Sequence, residues 1–226
     1  MTTDFFMKKS WIKFVVCGLA CVFVISFCLY ALLLHQTVSV WHGKSFYFLL
    51  SKAEHVEAGR YDAVLNGGAG YPIACEGSAE VALAVYLTEK DANAVQSALT
   101  EETEVMKISV DTLYFKTRAE KANMAVYQSG LSCLHSCMQV LQEIIFRLDN
   151  GETQQSALRL LSKLKHQFTF MEKQYQARYP FFSKTCKHVH EALREVMAGT
   201  VYASDLRYLL CELAVAYIDM AGDFSL

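Results

Sequence analysis

The sequence has no excess of charge of either sign. Twenty-one Lys and Arg stand against 23 Asp and Glu in 226 residues, a net charge of −2. That balance excludes the broad basic surface of a nucleic-acid binder. The small imbalance is local. From Lys44 to Asp111 there are 5 basic and 11 acidic residues, and from Thr112 to the end 13 and 11. An acidic middle is a poor partner for polyanions, and no nucleic-acid partner is expected.

Nucleophile and metal motifs are also missing. No G-x-S-x-G, H-E-x-x-H or Cys–His nucleophile pattern occurs. The glycine run "GGAG" (Gly67–Gly70) lacks the Lys-Ser/Thr of a phosphate-binding loop, so it reads as a tight turn that uses glycine's tolerance of positive φ. Glu101, Glu102 and Glu104 read as a solvated face rather than a glycosidase pair. The eight cysteines lack the spacing of a disulfide-stapled secreted domain. Cys17, Cys21 and Cys28 lie in an apolar run. The other five, Cys75, Cys133, Cys137, Cys186 and Cys211, are an odd number and read as mostly free, buried thiols. "CLHSC" and "CKHVH" put Cys133 with Cys137, and Cys186 with His190, on common helix faces. Four such ligands suit zinc. Small buried hydrophobes are the plainer reading, because structural zinc favours C-x₂-C spacings. Neither enzyme activity nor a cofactor or metal is expected; a metal-dependent enzyme is the weakest rival.

What is present begins with an uncharged run of 21 residues, Phe14–Leu34, long enough to span about 30 Å of hydrocarbon as a helix. Trp11 and Tyr30 sit near its ends. Lys8, Lys9 and Lys13 precede it and no basic residue follows until Lys44. The positive-inside rule then puts residues 1–13 in the cytoplasm and the main part outside the cell membrane, as a single-pass protein. No small-x-small cleavage site follows Leu34, and neither face of the run is polar, so a signal peptide and a core helix fit less well. Residues 35–43 read as a linker.

Between residues 44 and 111 the apolar period is mostly two. "KSFYFLLS" reads as a strand and residues 52–65 as a weak helix. The glycine turn then leads to a short strand, with Pro72 at a strand start or edge. Glu76-Gly77-Ser78 is a hairpin signal, and "AEVALAVYL" (Ala79–Leu87) alternates. Thr88 with Asp91 makes an approximate capping box for a helix carrying Ala92, Val95, Ala98 and Leu99. "EVMKISV" (Glu104–Val110) alternates again. The order is βαββαβ, the ferredoxin-like plan, with both helices on one sheet face. Phe46, Phe48, Leu50, Val81, Leu83, Val85, Leu87, Met106, Ile108 and Val110 are expected beneath those helices. Tyr47, Leu49, Ala82, Ala84, Tyr86, Lys107 and Ser109 are expected on the open face.

A glycine turn before a strand, a hydrophobic strand ending "YLTEKDA" and a following "AVQSAL" helix resemble the SPOR (sporulation-related repeat) domain. The likeness is to its divergent form with a "GGAGY" turn, found in Firmicute-type envelope proteins. The resemblance covers under a third of the chain. It implies a membrane-anchored cell-envelope protein that binds peptidoglycan glycan strands, or positions partners on them, during division or sporulation. The family's glycan lies across the open sheet face, which by position implies Tyr47, Tyr71, Ala84 and Tyr86 as binding residues. Family first strands carry Gln and then Gly-x-Phe; this one reads "FYFLLSKAEHV". The alternative is therefore a protein-interaction scaffold whose SPOR-like domain has lost glycan binding.

From Thr112 the period lengthens to about 3.5. Four stripes follow: Tyr127–Leu131–Leu134–Met138–Leu141–Ile145–Leu148, Ala157–Leu161–Leu164–Phe168–Met171–Tyr175, Phe182–Cys186–Val189–Leu193–Val196 and Leu206–Leu210–Leu213–Tyr217–Met220. Asp149-Asn150-Gly151, Tyr179-Pro180, Gly199 and Gly222 separate or close them. The expectation for 112–226 is four helices packed as an antiparallel bundle or as stacked hairpins, the first about 37 residues long if continuous, either projecting beyond the others or bending near Gly130. The bundle is expected either to dock on the open sheet face, where Ala82 and Ala84 permit close approach, or to pair with another envelope protein. The whole is then an α+β chain: transmembrane helix, ferredoxin-like domain, helical bundle.

Overall fold

The computed structural model describes residues 26, 39–52, 56–75, 78–99, 102–115, 118–177 and 179–222. The expected membrane anchor, Phe14–Leu34, lies outside them apart from Ser26. No helix among the described residues is long and apolar enough to cross a membrane. The chain divides into two units, one made of Trp41–Leu113 with Val126–Leu226, the other of Met1–Val40 with Tyr114–Ala125. The second unit lies largely outside the described residues. The first holds the sheet and most of the helical region.

The fold is a mixed α+β arrangement. Its elements are β1 (Ser39–Trp41), β2 (Ser45–Lys52), α1 (Val56–Leu65), β3 (Tyr71–Cys75), β4 (Ser78–Tyr86), α2 (Glu89–Ala98), β5 (Thr103–Ser109), β6 (Leu113–Phe115), α3 (Arg118–Asp149), α4 (Gln154–Tyr175), α5 (Pro180–Ala198) and α6 (Ala203–Gly222). Strands β2 to β5 form one four-stranded sheet in the order β3-β4-β2-β5, with every pair antiparallel. With a helix after β2 and another after β4, this is the split βαβ order expected from the sequence. The hairpin residues Glu76 and Gly77 lie outside the described residues, although Cys75 and Ser78 pair across that turn.

The glycine run closes α1 and aims the chain into β3. Gly67 and Gly70 have φ of 79° and 63°, where a side chain is strained. A Cβ on Gly70 would also meet the Arg60 carbonyl oxygen at 2.8 Å. At the other end of the hairpin Thr88 caps α2: its Oγ1 accepts the Asp91 amide at 3.2 Å and donates to the Asp91 carboxylate at 2.7 Å. The Thr88 half of the predicted box is present, and the Asp91 carboxylate bonds the Thr88 hydroxyl.

Two features depart from the expected pattern. The first is a bulge in β4. Phe48, Leu49, Leu50 and Ser51 of β2 face Val85, Ala84, Ala82 and Val81, so Leu83 is the extra residue. A bulge inverts the in–out phase of every residue beyond it. Ala82 therefore shares a face with Phe46, Phe48, Leu50 and Val85. Val81 joins Tyr47, Leu49, Ala84 and Tyr86. The second is a short strand pair, β1 with β6. It takes residues Ser39–Trp41 out of the expected linker, and Leu113–Phe115 out of the expected helix. Aromatic Tyr114 and Phe115 favour a strand over the first turn of a helix, and α3 begins at Arg118 with 32 residues.

The helical stripes bury as their spacing requires. Leu131, Leu134, Met138 and Leu141 of α3, Leu161, Leu164 and Phe168 of α4, Cys186 and Leu193 of α5, and Leu206 and Leu213 of α6 are all fully buried. Across the α4–α5 seam Thr169 meets His190 and Glu172 meets Ser183. One number rises as the other falls, as antiparallel neighbours require. Helix α3 runs unbroken through Gly130. A Cβ there would lie 3.3 Å from the Phe182 ring and 3.4 Å from Tyr175. The glycine permits close helix approach instead of a bend.

Helix α6 closes the sheet. The Tyr217 ring stands edge-on to Phe46 at 5.1 Å and lies 6.3 Å from Trp41. Tyr208 meets Tyr71 at 5.2 Å. The large apolar residues of β2 are thus covered by the bundle, while α1 and α2 pack against β2, β3, β4 and β5. Both faces are filled: Phe46, Phe48 and Leu50 on one, Leu49 and Ala84 on the other, are all buried. The expected open face is closed at Leu49 and Ala84, with Tyr47 and Tyr86 half-buried, and stays exposed only at Lys107 and Ser109 on β5. The bundle does dock on the sheet, but through α6 on the Phe46 face and not on the face where docking is expected.

Candidate functional site

The four residues that the family resemblance singles out do not form one platform. Register puts Tyr71 opposite Ala82, on the face under α6, and Ala84 opposite Leu49 on the other face. Ala84 is only 5 % exposed. Tyr71 is half-buried against Tyr208, and burial, with Glu212 adding to it, pushes its hydroxyl up to about 12. Tyr47 and Tyr86 are cross-strand neighbours, and Lys107, opposite Tyr47 on β5, holds its Nζ 5.7 Å from the Tyr47 ring centroid. A flat ligand cannot touch Tyr71, Ala84 and Tyr47 together, because the bulge and α6 separate them.

Tyr86 instead opens onto a cleft of about 620 Å³. Its floor is the end of β4, from Ala84 to Leu87. One wall is α2, with Asp91, Ala94 and Val95. The facing wall is α3, with Gln139, Gln142, Glu143, Ile145, Phe146 and Asp149. Helix α6 contributes Arg207 and Leu210. The cap at Thr88 fixes where α2 starts. Phe146 is 63 % exposed, a large apolar side chain left at the rim.

The charges in the cleft are mostly spent. Arg207 donates to the Gly67 carbonyl through Nη1 and to the Asp149 carboxylate through Nη2. It ties the glycine turn, α3 and α6 together. Glu143 accepts from Arg147 at 2.7 Å, and the Asp91 carboxylate accepts from Thr88. Burial raises the Tyr86 hydroxyl pKa, and the nearby Arg207 partly offsets that. What the cleft offers a ligand is two aromatic rings, Tyr86 and Phe146, and the carboxamides of Gln139 and Gln142 among apolar side chains. Among the described residues that line it there is no Ser, Cys or His. The Thr88 hydroxyl and the Asp91 carboxylate in the lining are bonded to each other in the helix cap.

No family model, curated protein or solved structure matches the chain. The reading of its site therefore rests on its own residues.

The zinc candidates come out as follows. His190 Nδ1 shares a 2.7 Å hydrogen bond with Thr169, so its ring points to α4. The Cys137 thiol reaches Gln167 Oε1 at 3.5 Å. Among the described residues no three His, Cys, Asp or Glu are placed to hold a metal. Cys133, Cys137, Cys186 and Cys211 are free thiols.

Arg207, Gln142 and Phe146 were not singled out in the sequence. Arg207 had one signal: a basic residue lies beside Leu206 in an otherwise apolar stripe. Phe146 had another, an aromatic out of phase with the α3 stripe. Neither says which other segment shares the cleft.

Proposed function

We propose that the protein is a non-catalytic interaction scaffold of the cell envelope, tethered by the segment Phe14–Leu34 with its main part outside the membrane. Its SPOR-like sheet serves as the seat for its own bundle, and a partner is held at the cleft beside Tyr86. The supporting observation is the placement of α6. Phe46 and Tyr71, on one face of the sheet, meet Tyr217 and Tyr208 edge-on, and Leu49 and Ala84 on the other face are buried, leaving little bare sheet for a glycan to lie across. The aromatic rim and the carboxamides of the cleft remain available.

Co-sedimentation of the full-length chain with purified sacculi tests this. The scaffold reading expects no pelleting beyond that of a control protein. A second reading keeps glycan as the ligand but moves it into the cleft, where Tyr86 offers a stacking ring and Gln139 and Gln142 offer amides that suit sugar hydroxyls. Pelleting that Tyr86→Ala and Gln142→Ala abolish would establish that reading and overturn the first. Pelleting that neither change affects would reject both assignments of the cleft.

A further inference from the structure

Two separate faces of the molecule carry opposite charge around an exposed aromatic ring. The first is the rim of the cleft. Among the described residues its charged lining consists of Asp91, Glu143, Asp149 and Arg207, three acids against one base. The exposed Arg147 does not redress that balance, because it is shared between Glu143 and Glu152. Along α3, Glu143, Phe146 and Asp149 follow at steps of three, so the exposed Phe146 ring stands between two carboxylates on one side of the helix. The second face is the outer side of α4. That helix carries Arg159, Lys163, Lys165 and Lys173 against a single acid, Glu172. Opposite its buried stripe, Arg159, Lys163, Phe170 and Lys173 are all exposed, with Phe170 at 66 %. Among the described residues none of Arg159, Lys163 and Lys173 makes an ion pair. Phe170 thus lies between Lys163 and Lys173 as Phe146 lies between Glu143 and Asp149.

We infer that the partner held at the cleft is a second copy of this chain, docked through its α4, an assignment that rests on the cleft being a partner site. The lengths agree. The α2 wall has ten residues, about 15 Å of helix, and the stretch from Lys163 to Lys173 covers about the same. Phe170 enters between α2 and α3 beside Phe146 and Val95, and the two lysines approach the carboxylates from either side. This is a helix laid in a groove, with ring against ring and opposite charges facing each other. Like faces do not suit one another: cleft against cleft sets acids against acids, and α4 against α4 sets lysines against lysines. Each contact therefore joins unlike faces. Two copies close as a pair when both contacts form at once, and otherwise the contact propagates as a ring or filament. One contact covers about 15 Å by 10 Å, well under the roughly 800 Å² per partner of a stable complex. The association is accordingly weak and sensitive to salt.

The test mixes equal amounts of full-length chain made with natural and with heavy nitrogen, in a non-ionic detergent. A carbodiimide joins Lys directly to Asp or Glu, and the links are mapped by peptide mass spectrometry. Mixed-isotope links from Lys163 or Lys173 to Asp91, Glu143 or Asp149 are expected, and should fall on the order of tenfold when salt is raised to about 1 M. A charge exchange, read by sedimentation velocity, adds a second arm. One chain carries Lys163→Glu with Lys173→Glu, the other Gln139→Lys with Glu143→Lys, all at exposed positions. Each variant alone should associate on the order of tenfold more weakly than the unsubstituted chain. Their mixture should regain the association, because the reversed α4 meets the reversed cleft while the unaltered faces still match. The absence of mixed-isotope links overturns the inference, as do links from α4 to another acidic surface or a mixture no more associated than its components. If a variant does not fold, the links of the unsubstituted chain and their salt dependence decide. Pelleting with sacculi that Tyr86→Ala abolishes, in a chain that forms no links to itself, would keep the cleft as a binding site and remove only the second copy as its occupant.

Discussion

The sheet (β2–β5) and the helical region (α3–α6) were read from the same kind of signal, apolar periodicity, and the two readings fared differently. In α4 all six stripe residues, Ala157 through Tyr175, are buried. In the sheet the strands and their order came out as expected, but the faces did not. The difference lies in how each period tolerates error. A helix stripe about 100° wide absorbs a misplaced residue. A strand has a period of two, and one extra residue, Leu83, moves all that follows to the other side. The sheet depends on the bundle for its aromatic cover, whereas each helix stripe is legible by itself.

The largest effect should come from breaking that dependence. Phe46 is fully buried against Tyr217. Phe46→Ala is expected to cost about 3–5 kcal/mol, read as a drop in the urea midpoint. Because Phe46 joins the two regions, near- and far-ultraviolet signals should still melt together. A separate, unshifted transition for the helices would show that the bundle stands without the sheet.

Arg207→Ala follows. The guanidinium bonds both the Gly67 carbonyl and Asp149, and its loss is expected to cost about 1.5–3 kcal/mol. Hydrogen exchange localises the effect. The amides of Gly68 and Ala69, which donate to Ala63 at 2.7 Å and to Leu83 at 2.6 Å, should exchange faster, and those at the centre of α4 should not. Uniform acceleration would mean that Arg207 supports the whole body rather than this junction.

The glycine turn shows how far local reading extends. "GGAG" was legible as a turn because Gly67 and Gly70 need positive φ and nothing distant is required. That the Gly67 carbonyl would be held by a residue 140 positions away was not legible, because no local pattern encodes it. The cleft is hidden for the same reason. Its walls come from β4, α2, α3 and α6, and only the tertiary arrangement brings them together. Tyr86 was singled out for an open sheet face and proves to line the cleft instead. A smaller prediction probes the local end of this scale. Thr88→Ala removes the cap of α2 and is expected to cost about 1 kcal/mol. The exchange protection lost should be confined to the first turn of α2. Loss reaching the α3 wall would make the cap part of the cleft's framework.

The smallest effect is a pH dependence at the contact between regions. His135 of α3 lies 6.3 Å from the Tyr217 ring, and burial, together with the charge of Lys44 just before β2, lowers its pKa. The unfolded chain takes up a proton at this residue near pH 6.5; the folded chain does so only at lower pH. The unfolded state therefore binds more protons in that window, and stability falls as the pH drops below about 6.5 until the folded imidazole also protonates. The effect is modest because the ring is half-buried and solvent screens the charge. His135→Gln should flatten the slope of unfolding free energy between roughly pH 7 and pH 5.5, leaving the value at pH 7 little changed. A Lys44→Gln variant should remove part of that slope without touching the bundle. If neither variant alters it, α3 does not meet the entrance to β2, and the two regions are joined through α6 alone.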